Sequence, residues 1–388
     1  MKLIPYSRQY INNKDIINIT KILKSDYLTK GSQTIKFEND VKKKIKSKYA
    51  LAVINASSAL ILACKALELK KDQYLWTTAV TYVASANCAL HCQAKIDLVD
   101  IDYADNNISI DHLKKKLIIA QKKKILPKIL VIVHLAGFPC RLKEIKKLSK
   151  KYNFKIIEDA SHAFGSSYFG SPVGNCKYSD ITIFSFHPVK VITTAEGGII
   201  STNNKDSYNK IYAMRENGQV LKKKINYNFL YDIKLLGYNF RINEINASLG
   251  ISQLRQTNDF IKKKILLAKR YYKHLSQKEI TLPLLKKNYF SSWHLFIIKI
   301  NFNLLKIDKN QFIKKLRDRK IFANFHYIPL YKFSFISRFL KIKILKNSEK
   351  YFKEAISLPL FPQMSKTEQN YVINKVNSII KNNRIIKK

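Results

Sequence analysis

The feature that most constrains this chain is a series of short apolar segments, rich in β-branched residues and separated by helical patterns. They are Tyr49-Ala-Leu-Ala-Val-Ile-Asn55, Lys95-Ile-Asp-Leu-Val99, Ile129-Leu-Val-Ile-Val133, Lys155-Ile-Ile-Glu-Asp159, Asp180-Ile-Thr-Ile-Phe-Ser185 and Gly197-Gly-Ile-Ile-Ser201. Segments of this length read as strands, and their near-continuous apolar character means burial on both faces. Between them, Ser57 opens a buried helix, and Arg141 to Tyr152 is amphipathic, with Leu142, Ile145 and Leu148 on one face. Strands and helices in alternation specify an α/β fold with a mostly parallel central sheet. Upstream, Asp15 is a candidate cap for a helix with a stripe of Ile16, Ile19, Ile22 and Leu23, and a second helix carries Ile35, Phe37, Val41 and Ile45.

After Gly237 the pattern changes. Glu244 to Leu254 reads as a helix, and a lysine-rich helix runs on to about His274. Then come a strand at Trp293 to Ile300, a helix at Gln311 to Arg319, and a closing helix at Lys366 to Lys381 with Val372, Val376, Ile379 and Ile380 inward. A chain of 388 residues suits two domains. We expect an N-terminal arm and large α/β domain over 1–250 and a small α+β domain over 251–388.

The formal net charge is +44. Lysines bind phosphate backbones, but here they come as scattered runs, Lys114-Lys115-Lys116, Lys122-Lys123-Lys124, Lys222-Lys223-Lys224 and Lys262-Lys263-Lys264, with no nucleic-acid motif beside them. We read them as solvated surface and expect no nucleic-acid partner. The five cysteines (Cys64, Cys88, Cys92, Cys140 and Cys176) form no Cys-x-x-Cys pair, so reduced thiols and no metal site are expected. The start MKLIPYSRQY has no apolar signal core, and no apolar run is long enough to span a bilayer. These features point to a cytoplasmic protein without a membrane partner.

Three segments deliver chemistry to the carboxyl edge of such a sheet, where ligands bind. In Asn55-Ala56-Ser57-Ser58 a strand gives way to a helix, whose free N–H groups attract a phosphate unless Ser57 merely caps it. Asp159 closes a strand; a carboxylate there can keep a pyridine nitrogen protonated, as an electron-sink cofactor requires, or can serve as a cap or ion pair. His162, a turn later, can reach that cofactor or substrate, or orient its neighbours. The third segment, Phe184-Ser-Phe-His-Pro-Val-Lys190-Val-Ile-Thr-Thr-Ala-Glu-Gly-Gly198, holds a single lysine in an otherwise lysine-rich chain. A desolvated lysine has a lowered pKa and condenses with aldehydes. Ser185 is a candidate phosphate ligand.

FSFHPVKVITTAEGG resembles the cofactor-lysine motif of the DegT-type sugar aminotransferases; EDASHAFG resembles their aspartate motif, NASSAL their phosphate loop and GYNFRINEINASLGISQL the motif that follows the active site. The likeness runs from Tyr6 to the C-terminal helix. It implies a fold-type I enzyme that uses pyridoxal 5'-phosphate, with a seven-stranded sheet, and a homodimer with shared active sites. Lys190 would be the cofactor lysine and proton shuttle, and Asp159 the partner of the pyridine nitrogen. Ala56, Ser57 and Ser185 would hold the phosphate, Tyr82 would stack on the ring, and Asn239 would reach the phosphate from the other subunit. Tyr6, Asp26, Tyr27, Leu28, Thr29, Ala56, Ser185, the TTAEGG run from Thr193 to Gly198, Asn239, Asn324, Phe325, His326 and Tyr327 match sugar-nucleotide-binding segments. His326 could equally be a buried structural histidine, and Tyr82 a core residue.

Within the family the resemblance is to the branch that aminates C4 of a UDP-linked 4-keto-6-deoxy-N-acetylhexosamine on the way to pseudaminic acid, with L-glutamate as donor. Other UDP- or dTDP-linked keto-sugars, aminated at C3 or C4, are the alternative substrates. The chain departs from the family at Thr77-Thr78-Ala79, where Thr-Thr-Pro is common, and at Tyr82, where that branch has Phe. Asp26 and Tyr27 also differ. Two other readings are a sugar dehydratase of the same fold, which by resemblance carries His in place of the lysine and is opposed by Lys190, and a non-enzymatic basic binding protein.

Overall fold

The computed structural model describes residues 2–221, 231–275, 278–341 and 344–385. The lysine run at 222–224 lies outside them. Seven strands form the central sheet, in the spatial order Tyr49–Val53, Gly198–Thr202, Ile181–Ser185, Lys155–Asp159, Pro127–Val133, Tyr74–Thr78 and Lys95–Val99. Gly198–Thr202 is antiparallel to both neighbours, and the remaining pairs are parallel. The mostly parallel sheet read from the sequence is therefore present.

Alternate side chains feed two cores, as the period of two requires. Leu75, Ile129 and Val131 pack with the helices Ala56–Ala66, Ala84–Leu90 and Lys205–Arg215 on one face. Trp76, Leu130 and Ile132 pack with Ile110–Lys122 and Leu142–Tyr152 on the other, and the helices Ser32–Ile45 and Glu244–His274 continue that layer over Phe184 and Ile199. Each buried aliphatic side chain contributes about 1.5–3 kcal/mol relative to exposure. A further core joins the three-stranded sheet of Ile280–Thr281, Phe296–Ile300 and Ala355–Leu358 to the helices Lys309–Arg317 and Lys366–Asn382, with Val372, Val376, Ile379 and Ile380 inward. The N-terminal strand Ile4–Pro5 pairs with Ile321–Phe322 and buries Ile4 in this same core. The two helices expected across 244–274 form one 31-residue helix. Our proposed division at residue 250 falls inside it.

Three local expectations change. The first helix, Asn13–Leu23, is capped by Asn12, whose side chain accepts from Lys14 and Asp15 N–H, while Asp15 returns a bond to the Asn12 N–H; Asp15 is the N3 half of a capping box. Its apolar stripe is largely on the surface, with Ile16 and Leu23 exposed. Of the Lys262-Lys263-Lys264 run, the first two are exposed but Lys264 is buried. All five cysteines are buried and free, and no cluster of metal-binding side chains occurs among the described residues. No described helix is long and apolar enough to cross a membrane.

Candidate active site

A cavity of about 500 Å³ opens at the carboxyl edge of the sheet. Its floor is built by chain ends: Asp159 and Ser185 are the last residues of their strands, and Asn55 follows the strand Tyr49–Val53. Asn55 caps the helix Ala56–Ala66 by accepting from Ser58 N–H at 2.8 Å. Ser57 is therefore not the cap, and it faces the cavity together with Ala56 at the helix start. Gly198 allows this loop to sit against the sheet: a Cβ there would lie 2.9 Å from the Ala56 nitrogen and the Asn55 carbonyl carbon.

Asp159 is 5% exposed. One carboxylate oxygen accepts from Ser85 Oγ at 2.7 Å and the other from Ser161 N–H at 3.1 Å. Ser85 is in turn 2.9 Å from Thr81 Oγ1. The carboxylate is thus oriented before any ligand arrives. Lys190 follows a turn closed by its own N–H donating to the His187 carbonyl at 2.9 Å. Its side chain lines the cavity and is otherwise enclosed by protein; burial pulls its pKa down to about 8, against the opposing attraction of Asp159.

His162 is buried, and its ring bonds on both sides. Nδ1 accepts from Ala136 N–H at 3.3 Å, which puts the ring proton on Nε2, 3.0 Å from the Tyr327 hydroxyl oxygen. The Tyr327 oxygen is then the acceptor, and its own proton is free to donate into the cavity. Burial, reinforced by the Lys190 charge, holds His162 neutral, well below the usual histidine pKa. Its ring also lies 4.2 Å from that of His294. His162 thus positions Tyr327 in this structure. His326 is buried and bonded to Ser357 Oγ at 2.8 Å through Nδ1, with its ring 5.0 Å from Tyr6; burial drives its pKa to about 3. Asn324 and Phe325 complete that wall. Tyr82 is 59% exposed at the mouth, not packed in a core, and its ring is 6.1 Å from Tyr327.

The cavity therefore gathers Tyr6, Ala56, Ser57, Tyr82, Asp159, His162, Ser185, Lys190 and the 324–327 segment. It does not include Asp26, Tyr27, Leu28, Thr29 or Asn239, all of which are exposed elsewhere on the surface. The 26–29 segment is tied to the start of the long helix: Glu244 N–H donates to the Leu28 carbonyl, and the Glu244 carboxylate accepts from Gln33 and Thr34 N–H. Sequence reasoning missed Ser85, Ser161 and His187, while Glu196 of the TTAEGG run does line the cavity. Ser85 stands three residues after Tyr82, and His187 lies inside the lysine segment itself, so proximity to a motif was the available signal.

Residues 9–377 match the DegT/DnrJ/EryC1/StrS aminotransferase family. The chain is 35% identical over 379 residues to the UDP-4-amino-4,6-dideoxy-N-acetyl-beta-L-altrosamine transaminase of Campylobacter jejuni subsp. jejuni serotype O:23/36, covering 97% of this chain and 98% of that one. Among solved structures it resembles Helicobacter pylori PseC, an aminotransferase of pseudaminic acid biosynthesis, with a TM-score of 0.91, 29% identity, and coverage of 98% and 100% of the two chains. The pyridoxal-phosphate form of the sugar aminotransferase Spr1654 from Streptococcus pneumoniae matches with a TM-score of 0.88, 25% identity, and coverage of 98% and 99%. The cavity's donor set suits that cofactor: N–H groups at a helix start for a phosphate, an exposed aromatic face, a buried oriented carboxylate and an amine of lowered pKa. The chain belongs to the DegT/DnrJ/EryC1/StrS aminotransferase family and is a pyridoxal-phosphate-dependent sugar aminotransferase.

Proposed function

We propose that this enzyme moves the amino group of L-glutamate to C4 of a UDP-linked 4-keto-6-deoxy-N-acetylhexosamine of L-configuration, a precursor of pseudaminic acid, and that it works in the cytoplasm. The observation that carries the catalytic part is the convergence of Lys190 and Asp159 on one cavity. When bound, pyridoxal phosphate supplies an aldehyde and an electron-withdrawing ring. Lys190 would hold the cofactor through its aldehyde carbon and, once the incoming amino donor has displaced it as the free amine, would take and return the proton at the substrate carbon. Asp159, held by Ser85 and Ser161, keeps a proton on the ring nitrogen. Ala56, Ser57 and Ser185 would hold the phosphate, and Tyr82 would pack against the ring. Tyr6, Asn324, Phe325, His326 and Tyr327 grip the sugar nucleotide, with the Tyr327 hydroxyl donating into the cavity. The basic balance of the chain steers the diphosphate in.

Asp26, Tyr27, Leu28, Thr29 and Asn239 lie outside this cavity, on a surface that also exposes Ile35 and Leu236. We infer that they complete the site of a second copy across a two-fold axis, the commonest arrangement of soluble oligomers. Mixing Lys190→Ala with a silent Asn239 variant then restores activity through one good site per heterodimer. A fully active monomer at high dilution would overturn the shared site.

The substrate is tested by supplying protein and glutamate with L- and D-configured UDP-4-keto-sugars and with dTDP-keto-sugars, and following 2-oxoglutarate release. Turnover only with a dTDP-sugar or the D-configured UDP-sugar replaces the proposed acceptor with another keto-sugar. Borohydride trapping with peptide mapping tests Lys190, and an adduct on any other lysine refutes its role.

A further inference from the structure

Phe325 stands in the cavity wall between two anchored residues. On one side, Asn324 exchanges both backbone hydrogen bonds with Ser357, at 3.0 and 2.8 Å. On the other, His326 is bonded to Ser357 Oγ, and its carbonyl accepts from the Tyr351 hydroxyl. The main chain is therefore held, but the half-buried Phe325 ring turns on its own side-chain torsions. Three groups close on it. Phe352 meets it edge to face at 5.2 Å, and Tyr351 is tilted against it at 6.2 Å. The third is a cation. The Lys309 ammonium sits 3.4 Å from the centroid of the Phe325 ring and is pinned there by donating to the Phe352 carbonyl at 2.6 Å. Local chemistry argues against a lysine at this position. It is the first residue of the helix Lys309–Arg317, where the helix dipole disfavours a cation, and the preceding Asp308 is occupied in capping, accepting from Gln311 N–H at 2.8 Å. Among the described residues no carboxylate offsets its burial, which pulls its pKa down to about 7. The aromatic face and the carbonyl both favour the charged form and work the other way. Lys332, 5.0 Å from the same Phe352 ring, is by contrast paired with Glu349 at 2.8 Å.

We propose that Lys309 is a positioning residue for the sugar nucleotide, clamping the Phe325 ring in the orientation that the cavity presents to the nucleotide base. The proposal rests on the reading that the 324–327 segment grips the sugar nucleotide. The Phe325 side chain carries no polar atom, so what it offers is a flat apolar face, and the flat part of a sugar nucleotide is its base. A ring locked before binding costs less to order when the ligand arrives. The contacts of Lys309 are with the Phe325 and Phe352 rings and the Phe352 carbonyl, and none of them reaches Lys190, Asp159 or the helix-start N–H groups. Its removal therefore weakens nucleotide binding and leaves the half-reaction with glutamate intact.

The test is a double-mutant cycle read by isothermal titration of the full-length, cofactor-loaded protein with UDP, and with dTDP in parallel. Lys309→Met should weaken binding of the nucleotide that the wild type prefers by about three- to tenfold. Lys309→Arg, whose guanidinium also lies on aromatic faces, should restore most of it. Lys309→Gln keeps a donor for the Phe352 carbonyl without the charge and should behave as Met does; it decides alone if the Met variant does not fold. In a Phe325→Leu background the Met substitution should cost nothing further. The glutamate half-reaction should keep its wild-type rate and KM in Lys309→Met. Additive losses in the cycle would mean that Lys309 meets the nucleotide directly, and they overturn the proposal. Equal affinities in wild type and Lys309→Met also overturn it, as does a glutamate half-reaction slowed as far as nucleotide binding is weakened. Phe325→Leu separates the two readings. Unchanged nucleotide affinity in that variant removes the wall segment from nucleotide binding and the role of Lys309 with it, whereas a loss there with none in Lys309→Met sinks the role of Lys309 alone.

Discussion

Gly198→Ala tests how the fold sets the phosphate site. The added methyl would lie 2.9 Å from the Ala56 nitrogen and the Asn55 carbonyl carbon, and 3.0 Å from the Asn55 oxygen. Ordinary contact between such atoms begins near 3.5 Å, so strand and loop must part by roughly 0.5 Å. All three are backbone atoms, so no flexible side chain can yield instead. Gly198 is also the first rung of its strand, opposite Val53 on one side and Ser185 on the other. Overpacking of this kind costs about 1–3 kcal/mol, and a chain of this length should lose about 2–5 °C in Tm. The same displacement moves the helix-start N–H groups away from the phosphate. A loss of about 1.4 kcal/mol there weakens cofactor binding tenfold. Thermal melting of the cofactor-free protein and absorbance titration with pyridoxal phosphate read the two effects separately. A variant with normal Tm and normal cofactor affinity refutes the close-approach argument, while lost Tm with unchanged affinity refutes the link from Gly198 to the phosphate loop.

Asp159→Asn should retain cofactor but turn over at least about a hundredfold more slowly, since an amide does not hold the ring proton; near-native turnover removes Asp159 from its role. Ser85→Ala deletes a charge-assisted bond worth about 1.5–3 kcal/mol, and steady-state kinetics should show a ten- to hundredfold lower rate with little change in glutamate KM. The rate at which stripped protein recaptures pyridoxal phosphate should rise with pH and level off above about 8, because the Lys190 free base is the reactant; a flat profile from pH 6 to 9 contradicts this. Lys264→Met should stabilise the fold. Its folded pKa of about 7 lies below the unfolded value of about 10.4, so the unfolded chain binds the extra proton between them and wild-type stability rises with pH across that window. The variant's gain is about 3–5 kcal/mol below pH 7 and fades by about pH 10.5; melts at pH 6.5 and 10 check it, and a less stable variant at pH 6.5 refutes an unpaired Lys264.

Where the sequence was readable, one local rule sufficed. Lys155–Asp159 carries Ile156 and Ile157 between its first lysine and its two acidic last residues, so a carboxylate at the strand's end could be placed at the sheet edge without any tertiary knowledge. The solitary lysine in the segment from Phe184 to Gly198 stood out in the same way. The strand Tyr74–Thr78 did not. It lies inside the sheet, yet Trp76, Thr77 and Thr78 give neither alternation nor an aliphatic run, and the threonine hydroxyls are buried without partners. The helix Ile110–Lys122 was hidden by its lysines, although Ile110, Leu113, Leu117 and Ala120 keep helical spacing on its buried side. Ser57 and Asn55 compete for the same cap on local grounds, and only the observed bond from Ser58 N–H decides for Asn55 and leaves Ser57 free for the cavity.

Lys264 shows why composition can mislead about individual residues. In a chain with 71 lysines and arginines, a Lys-Lys-Lys run reads as solvated surface, and for Lys262 and Lys263 it is. A helix turns about 100° per residue, however, so three consecutive lysines cannot share one environment. Phe260, Ile261, Leu267, Ala268 and Tyr271 set the buried side of this helix at spacings of three and four, and position 264 falls between them. Periodicity, applied to the lysines as strictly as to the leucines, assigns Lys264 to the interior. A buried amine without a partner then requires a reason to be retained, since methionine would fill the same volume at lower cost. The Lys190 charge adds to that cost, since burial and Lys190 together bring Lys264 down to about 7.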